Sequence, residues 1–108
     1  MDLQISPEEL KQRLQEADPP KLLDVRQPEE HEFVALPNST LISLGQLYER
    51  AGEIEAWKEK EIVVYCHHGI RSLHAIAQLR SLGFNQLRNL AGGIDAWAGT
   101  VDSSLPRY

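Results

Sequence analysis

The sequence predicts an α/β fold with a mostly parallel central sheet and helices on both faces. Three observations predict it. Short apolar runs alternate along the chain with helix-forming stretches. The clearest run, residues 61–65, is apolar after its first residue and carries β-branched side chains, as a strand buried on both faces should. The two chemically unusual positions, Asp24 and Cys66, fall at the ends of such runs, where open α/β sheets place their ligands.

The elements follow in order. Ser6-Pro7-Glu8-Glu9 reads as a helix start, with Ser6 as N-cap, Pro7 in the first turn and Glu9 placed to close a capping box. Leu10 and Leu14 continue it to about Glu16, before Asp18-Pro19-Pro20 ends it. Residues 22–25 form a buried strand, and residues 27–33 a short helical turn. Leu41-Ile42 is a second strand; Leu44, Leu47 and Tyr48 suggest another helix. After the strand at 61–65, residues 72–80 read as a helix with Leu73, Ile76, Ala77 and Leu79 on its apolar side and Gly83 beyond its end. Residues 86–90 form a last short strand. Gly92-Gly93 then leads into a helix holding Ile94, Ala96 and Trp97.

The 108 residues suit one domain spanning 1–108. A net charge of -5 disfavours nucleic acid and anionic membrane surfaces as partners. No apolar run approaches the roughly 20 residues needed to span a bilayer. The single cysteine excludes an intramolecular disulfide, a CxxC redox pair and a multi-thiolate zinc site. A lone thiol fits a reducing compartment, and residues 1–7 show no secretory pattern, so a cytoplasmic protein is expected.

The chemistry concentrates in Val64-Tyr65-Cys66-His67-His68-Gly69-Ile70-Arg71-Ser72. A strand delivers Cys66, a tight loop follows, and a helix begins near Ser72. Successive backbone N–H groups in such a loop can form an anion nest, and the helix N-terminus adds partial positive charge. Gly69 allows a conformation or close approach that a side chain would forbid. Such surroundings lower a thiol's pKa and make it a nucleophile; the alternative is an inert buried thiol. Arg71 can grip an anionic substrate, or brace the loop by pairing with a carboxylate such as Asp24. His67 and His68 can line the mouth or simply face solvent. Consecutive Cys66, His67 and His68 are poorly spaced for tetrahedral ligation, so no metal is expected. His31 and His74 fall outside any ligand pattern.

These residues resemble the rhodanese-like domain family. Three segments, in order, carry the resemblance: Leu22-Leu23-Asp24-Val25-Arg26-Gln27-Pro28-Glu29-Glu30, then Cys66-His67-His68-Gly69-Ile70-Arg71-Ser72, then Leu90-Ala91-Gly92-Gly93-Ile94-Asp95-Ala96-Trp97. The resemblance extends from about Ser6 to Tyr108. It implies a persulfide mechanism, in which Cys66 takes sulfane sulfur from thiosulfate or a persulfide donor and passes it to cyanide or a thiol. It implies that His67, His68, Gly69, Ile70, Arg71 and Ser72 form the substrate-binding loop, and that Asp24 and Arg26 support the site. No cofactor is implied. The implied partners are a small-molecule sulfur donor and acceptor, with a protein persulfide donor or a thioredoxin-like acceptor as further candidates. One stretch departs from the family pattern: Ala35-Leu36-Pro37-Asn38-Ser39 keeps a proline where the family has His-Ile-Pro-Gly-Ala, but lacks the histidine and glycine.

Two other functions compete. A related phosphatase or arsenate reductase would need room for a tetrahedral oxyanion, and the related cell-cycle phosphatases have one more residue between cysteine and arginine. Here four residues separate Cys66 from Arg71. A non-catalytic binding module of the same family would have no need of the cysteine.

Overall fold

The computed structural model describes residues 2–108. Five parallel strands form one sheet in the order β1-β5-β4-β2-β3. They are β1 (Gln4–Ile5), β2 (Lys21–Asp24), β3 (Thr40–Leu41), β4 (Ile62–Tyr65) and β5 (Leu87–Leu90). The helices are α1 (Pro7–Arg13), α2 (Pro28–Phe33), α3 (Leu47–Arg50), α4 (Arg71–Ser81) and α5 (Gly93–Thr100), with 3₁₀ turns at Leu44–Gln46 and Ala51–Trp57. The expected α/β class and parallel sheet are what the structure has.

Strand alternation divides the core between the two faces. Leu23, Ile62 and Val64 point to one side and pack with Ala75, Ile76 and Leu79 of α4. Leu22, Val63 and Tyr65 point to the other and meet Leu10 of α1 and Ile94 and Trp97 of α5. Every residue of β4 is buried, which explains its uninterrupted apolar sequence.

Several expectations are corrected. β1 leaves no signal in the sequence, because two residues carry no periodicity. It forms by pairing with β5, Gln4 beside Asn89 and Ile5 beside Leu90, and Ile5 is fully buried. α1 ends at Arg13 rather than Glu16. Ser6 accepts the Glu9 amide at 3.1 Å as an N-cap should, but the Glu9 carboxylate turns to Arg88 instead of closing the box. On α4 the buried residues are Ser72, Ala75, Ile76 and Leu79, while Ala77 is exposed and Leu73 half-buried. The polar Ser72 lies on that buried face, with its hydroxyl 3.4 Å from Cys66 Sγ.

The departing stretch 35–39 makes a turn in which Asn38 takes φ +62°. Asparagine tolerates the left-handed region better than other side chains, so it can stand where the family pattern has glycine. Leu36 stays buried, and its amide donates to the Tyr65 hydroxyl at 3.1 Å.

β2 is followed outward by β3, whereas β4 returns to the inside and β5 continues the other way. The order of the chain therefore reverses between β2 and β4. Asp24 and Tyr65 lie side by side at their carboxyl ends, and Cys66 is the next residue. A crevice at such a reversal is where parallel sheets bind ligands.

Candidate active site

Cys66 leaves β4 into a five-residue arc that closes on α4 at Arg71. Its side chain is 1% exposed. Gly69, at φ +101°, turns its amide inward and donates to Cys66 Sγ at 3.1 Å. The Ser72 hydroxyl lies 3.4 Å from the same sulfur. Burial pushes the Cys66 thiol up, while the Ser72 hydroxyl and the amides of Ser72, Gly69 and His68 pull it down; the net direction is down. A sulfur held among backbone donors at a helix N-terminus is set up to carry negative charge.

The arc is supported from behind by α5. Ile94 N donates to the Cys66 carbonyl at 2.9 Å and Asp95 N to the His67 carbonyl at 3.1 Å. This approach is possible because Gly93 has no side chain. A Cβ there would stand 2.3 Å from the His67 carbonyl oxygen, and the residue has φ +65°. Gly92-Gly93 thus does more than start a helix: it lets the helix end press against the cysteine arc.

Deeper in, Ser72 donates to Asn89 Oδ1. Asn89 Nδ2 donates to Gln4 Oε1 at 3.0 Å and to the Gly69 carbonyl at 3.3 Å. Gln4 and Asn89 were not singled out in the sequence. Asn89 is 2% exposed beside Arg88 in a strand of sequence Leu-Arg-Asn-Leu, and a polar pair inside a strand of a sheet covered on both faces is the signal that could have found it.

Arg71 does not pair with Asp24. It grips Glu30 of α2, Nη1 to Oε1 at 2.7 Å and Nη2 to Oε2 at 3.0 Å. Asp24 is instead locked to Arg26, both fully buried: Arg26 Nε donates to Oδ1 at 2.9 Å and Nη2 to Oδ2 at 2.7 Å. His31 Nδ1 lies 2.8 Å from Asp24 Oδ2, so His31 borders this pair. Arg26 also reaches the Val34 carbonyl and the Tyr108 hydroxyl. Asp24 and Arg26 therefore stand beside the arc and fix the end of β2, without a hydrogen bond to Cys66.

Tyr108 joins these groups from above. Its ring stacks on His67 at 3.7 Å with a 5° interplanar angle, and its hydroxyl donates to Glu30 Oε2 at 2.7 Å. His67 is half-buried beneath it, whereas His68 and Ile70 are exposed on the outer rim. His67, His68 and Asp95 bring ligand atoms within 4.8 Å of one another. The two imidazole centroids lie 3.8 Å apart with their planes at 33°. His74 is an exposed residue of α4.

The family model for the rhodanese-like domain matches residues 6–100. A sulfurtransferase of Allochromatium vinosum is 36% identical over an alignment covering 88% of this chain and 87% of that protein. The adenylyltransferase and sulfurtransferase MOCS3 of Arabidopsis thaliana is 35% identical over 96% of this chain, which spans 25% of that protein's length. Among solved structures, a rhodanese-like domain protein of Staphylococcus aureus superposes with a TM-score of 0.83 at 28% identity, covering 99% of both chains.

Proposed function

The chain belongs to the rhodanese-like domain family, and on that premise we propose that it is a sulfurtransferase acting through a Cys66 persulfide. The observation that carries this reading is the sulfur of Cys66 seated against the Gly69 amide at 3.1 Å in an arc at the N-terminus of α4. The Cys66 thiolate attacks the outer sulfur of thiosulfate. The S–S bond of the donor breaks, sulfite leaves with the bonding electrons, and Cys66 keeps the sulfur as a persulfide anion. A nucleophile then attacks the terminal sulfur. Cyanide leaves as thiocyanate and the Cys66 thiolate is restored. A thiolate that forms before attack needs no general base, in keeping with an arc whose polar groups are mainly backbone amides.

The amides from His67 to Ser72 hold the charge of the terminal sulfur, as an oxyanion hole holds oxygen. Arg71 contributes positive potential at the rim while braced on Glu30. Exposed His68 and Ile70 offer contact to a protein persulfide donor or a thioredoxin-like acceptor. Asp24 and Arg26 keep the neighbouring strand end in place. The domain comprises the sheet and helices of residues 1–108 and works in the cytoplasm.

The test is Cys66→Ser assayed for cyanide-dependent thiocyanate formation from thiosulfate. The fold should remain and transfer should cease. A serine variant that still forms thiocyanate would remove the assignment.

A further inference from the structure

We propose that Asn89 is a positioning residue that competes with Cys66 for the single proton of the Ser72 hydroxyl, and so sets how readily the thiol ionises. This deepens the sulfurtransfer reading and rests on Cys66 being its reacting group.

The argument is one of counting protons. Ser72 has one O–H, and it donates to Asn89 Oδ1. Only a lone pair of Ser72 then faces Cys66 Sγ at 3.4 Å. A lone pair there suits a thiol, whose S–H can donate to it; the Ser72 hydroxyl pulls the thiol down only when its proton turns from Asn89 to the sulfur. Reversing the Asn89 amide is blocked by its other contacts. Both Nδ2 protons are engaged, one by Gln4 Oε1 and the other by the Gly69 carbonyl. A reversed amide would set its oxygen against the Gly69 carbonyl oxygen, and a backbone carbonyl cannot become a donor.

The ionised state demands a different arrangement. The Ser72 O–H rotates from Asn89 to the sulfur, and Asn89 Oδ1 loses that donor in a site where Ser72 is fully buried and Asn89 2% exposed. A buried acceptor without a partner opposes that rotation. A persulfide has no proton on Sγ either, so loading the cysteine removes the S–H to Ser72 bond as ionisation does. The same two side chains therefore respond to both steps of the cycle.

The charged and titratable groups around Cys66 lie elsewhere in the network. Arg71 of α4 is held by Glu30 of α2, Asp24 by Arg26 and His31, and Asp95 of α5 by Arg107. His67 stacks under Tyr108, His68 stands on the rim, and the Tyr65 hydroxyl meets Leu36 and Ser39 on the opposite face. Among the described residues none of these bonds to Ser72 or Asn89, so the pair can be tested without disturbing them.

The experiment is the rate of Cys66 alkylation by iodoacetamide as a function of pH, in four proteins: wild type, Asn89→Ala, Ser72→Ala and the double variant. Asn89→Ala frees the Ser72 proton for the thiolate, and the midpoint should move down by roughly half to one pH unit, the scale of one hydrogen bond. In the Ser72→Ala background the same change should leave the midpoint where it was, because Asn89 acts through Ser72. Asn89→Leu keeps the side-chain volume and reads the same way if the alanine variant does not fold. An unchanged or raised midpoint in the single variant overturns the proposal. An equal shift in both backgrounds also overturns it, and assigns the effect to the Gly69 carbonyl contact. Alkylation requires no sulfur donor, so a failure here is distinct from a failure to form the persulfide.

Discussion

Arg71 and Glu30 meet end to end, the two guanidinium nitrogens on the two carboxylate oxygens at 2.7 and 3.0 Å. The contact joins the first turn of α4, which carries the cysteine arc, to α2, which follows the Asp24 strand. Glu30 also accepts from the Gln27 amide at 3.0 Å and from the Tyr108 hydroxyl at 2.7 Å. The bracing role of Arg71 is thus filled, by a carboxylate other than Asp24.

The Arg71 hydrogen bonds hold the Glu30 carboxyl down at about 2, from an ordinary 4.5. A depressed folded-state pKa contributes stability that is present above the ordinary value and lost as pH falls through the depressed one. The urea midpoint of the wild type should therefore decline between about pH 4.5 and pH 2 more steeply than that of Glu30→Gln. The difference should be about 1 kcal/mol, modest because the half-exposed Arg71 is screened by solvent. Parallel curves for the two proteins would show that the pair does not couple to folding.

Gly93→Ala tests how closely α5 supports the arc. Its Cβ would stand 2.5 Å from the His67 carbonyl carbon and 2.6 Å from the Cys66 carbonyl oxygen, against backbone that cannot swing away. The φ of +65° adds strain of about 1 kcal/mol or more. We expect a loss of at least about 2 kcal/mol in denaturant unfolding and a fall in the alkylation rate of Cys66. Wild-type values of both would mean that α5 does not press on the arc.

Tyr108→Ala should uncover His67. Burial, then the neighbouring His68, holds the His67 imidazole below its ordinary 6.5. Removing the ring stacked on it lets water reach the imidazole, so its titration, followed by NMR, should move up toward that value. Tyr108→Phe keeps the stack and should leave the titration nearly where it is. Equal behaviour of the two variants would contradict the burial argument.

Arc length separates sulfur transfer from phosphate chemistry. One glycine inserted after Gly69 should widen the ring of amides and move them from the terminal sulfur. Thiocyanate formation should fall by roughly a hundredfold to a thousandfold, the scale of losing an aligned donor. Hydrolysis of an activated aryl phosphate is the companion assay. If the unmodified protein hydrolyses that ester faster than it transfers sulfur, the size argument fails.

Local sequence carried much of this molecule. The run at 61–65, the punctuation by Gly and Pro, and the cysteine at a strand end were enough to place the sheet and Cys66. What stayed hidden depends on contacts between distant residues. β1 has two residues and exists only through pairing with β5. Glu30 lies 41 residues from Arg71, and Tyr108 lies 78 from Glu30, so neither partnership leaves a local pattern. Asn89 is one of two adjacent polar residues in β5, and the sequence does not tell which of them faces Ser72. The role of Gly93 is visible only when the distance to the His67 carbonyl is measured.

The central claim is that Cys66 carries sulfur, and intact-mass spectrometry tests it most directly. The protein is incubated with thiosulfate, freed of excess donor and weighed, then weighed again after cyanide or dithiothreitol. The account predicts a gain of one sulfur, about 32 Da, that is lost on treatment and absent in Cys66→Ser, as a single thiolate nucleophile requires. A mass unchanged by thiosulfate and by other persulfide donors, or an equal gain in the serine variant, would contradict it.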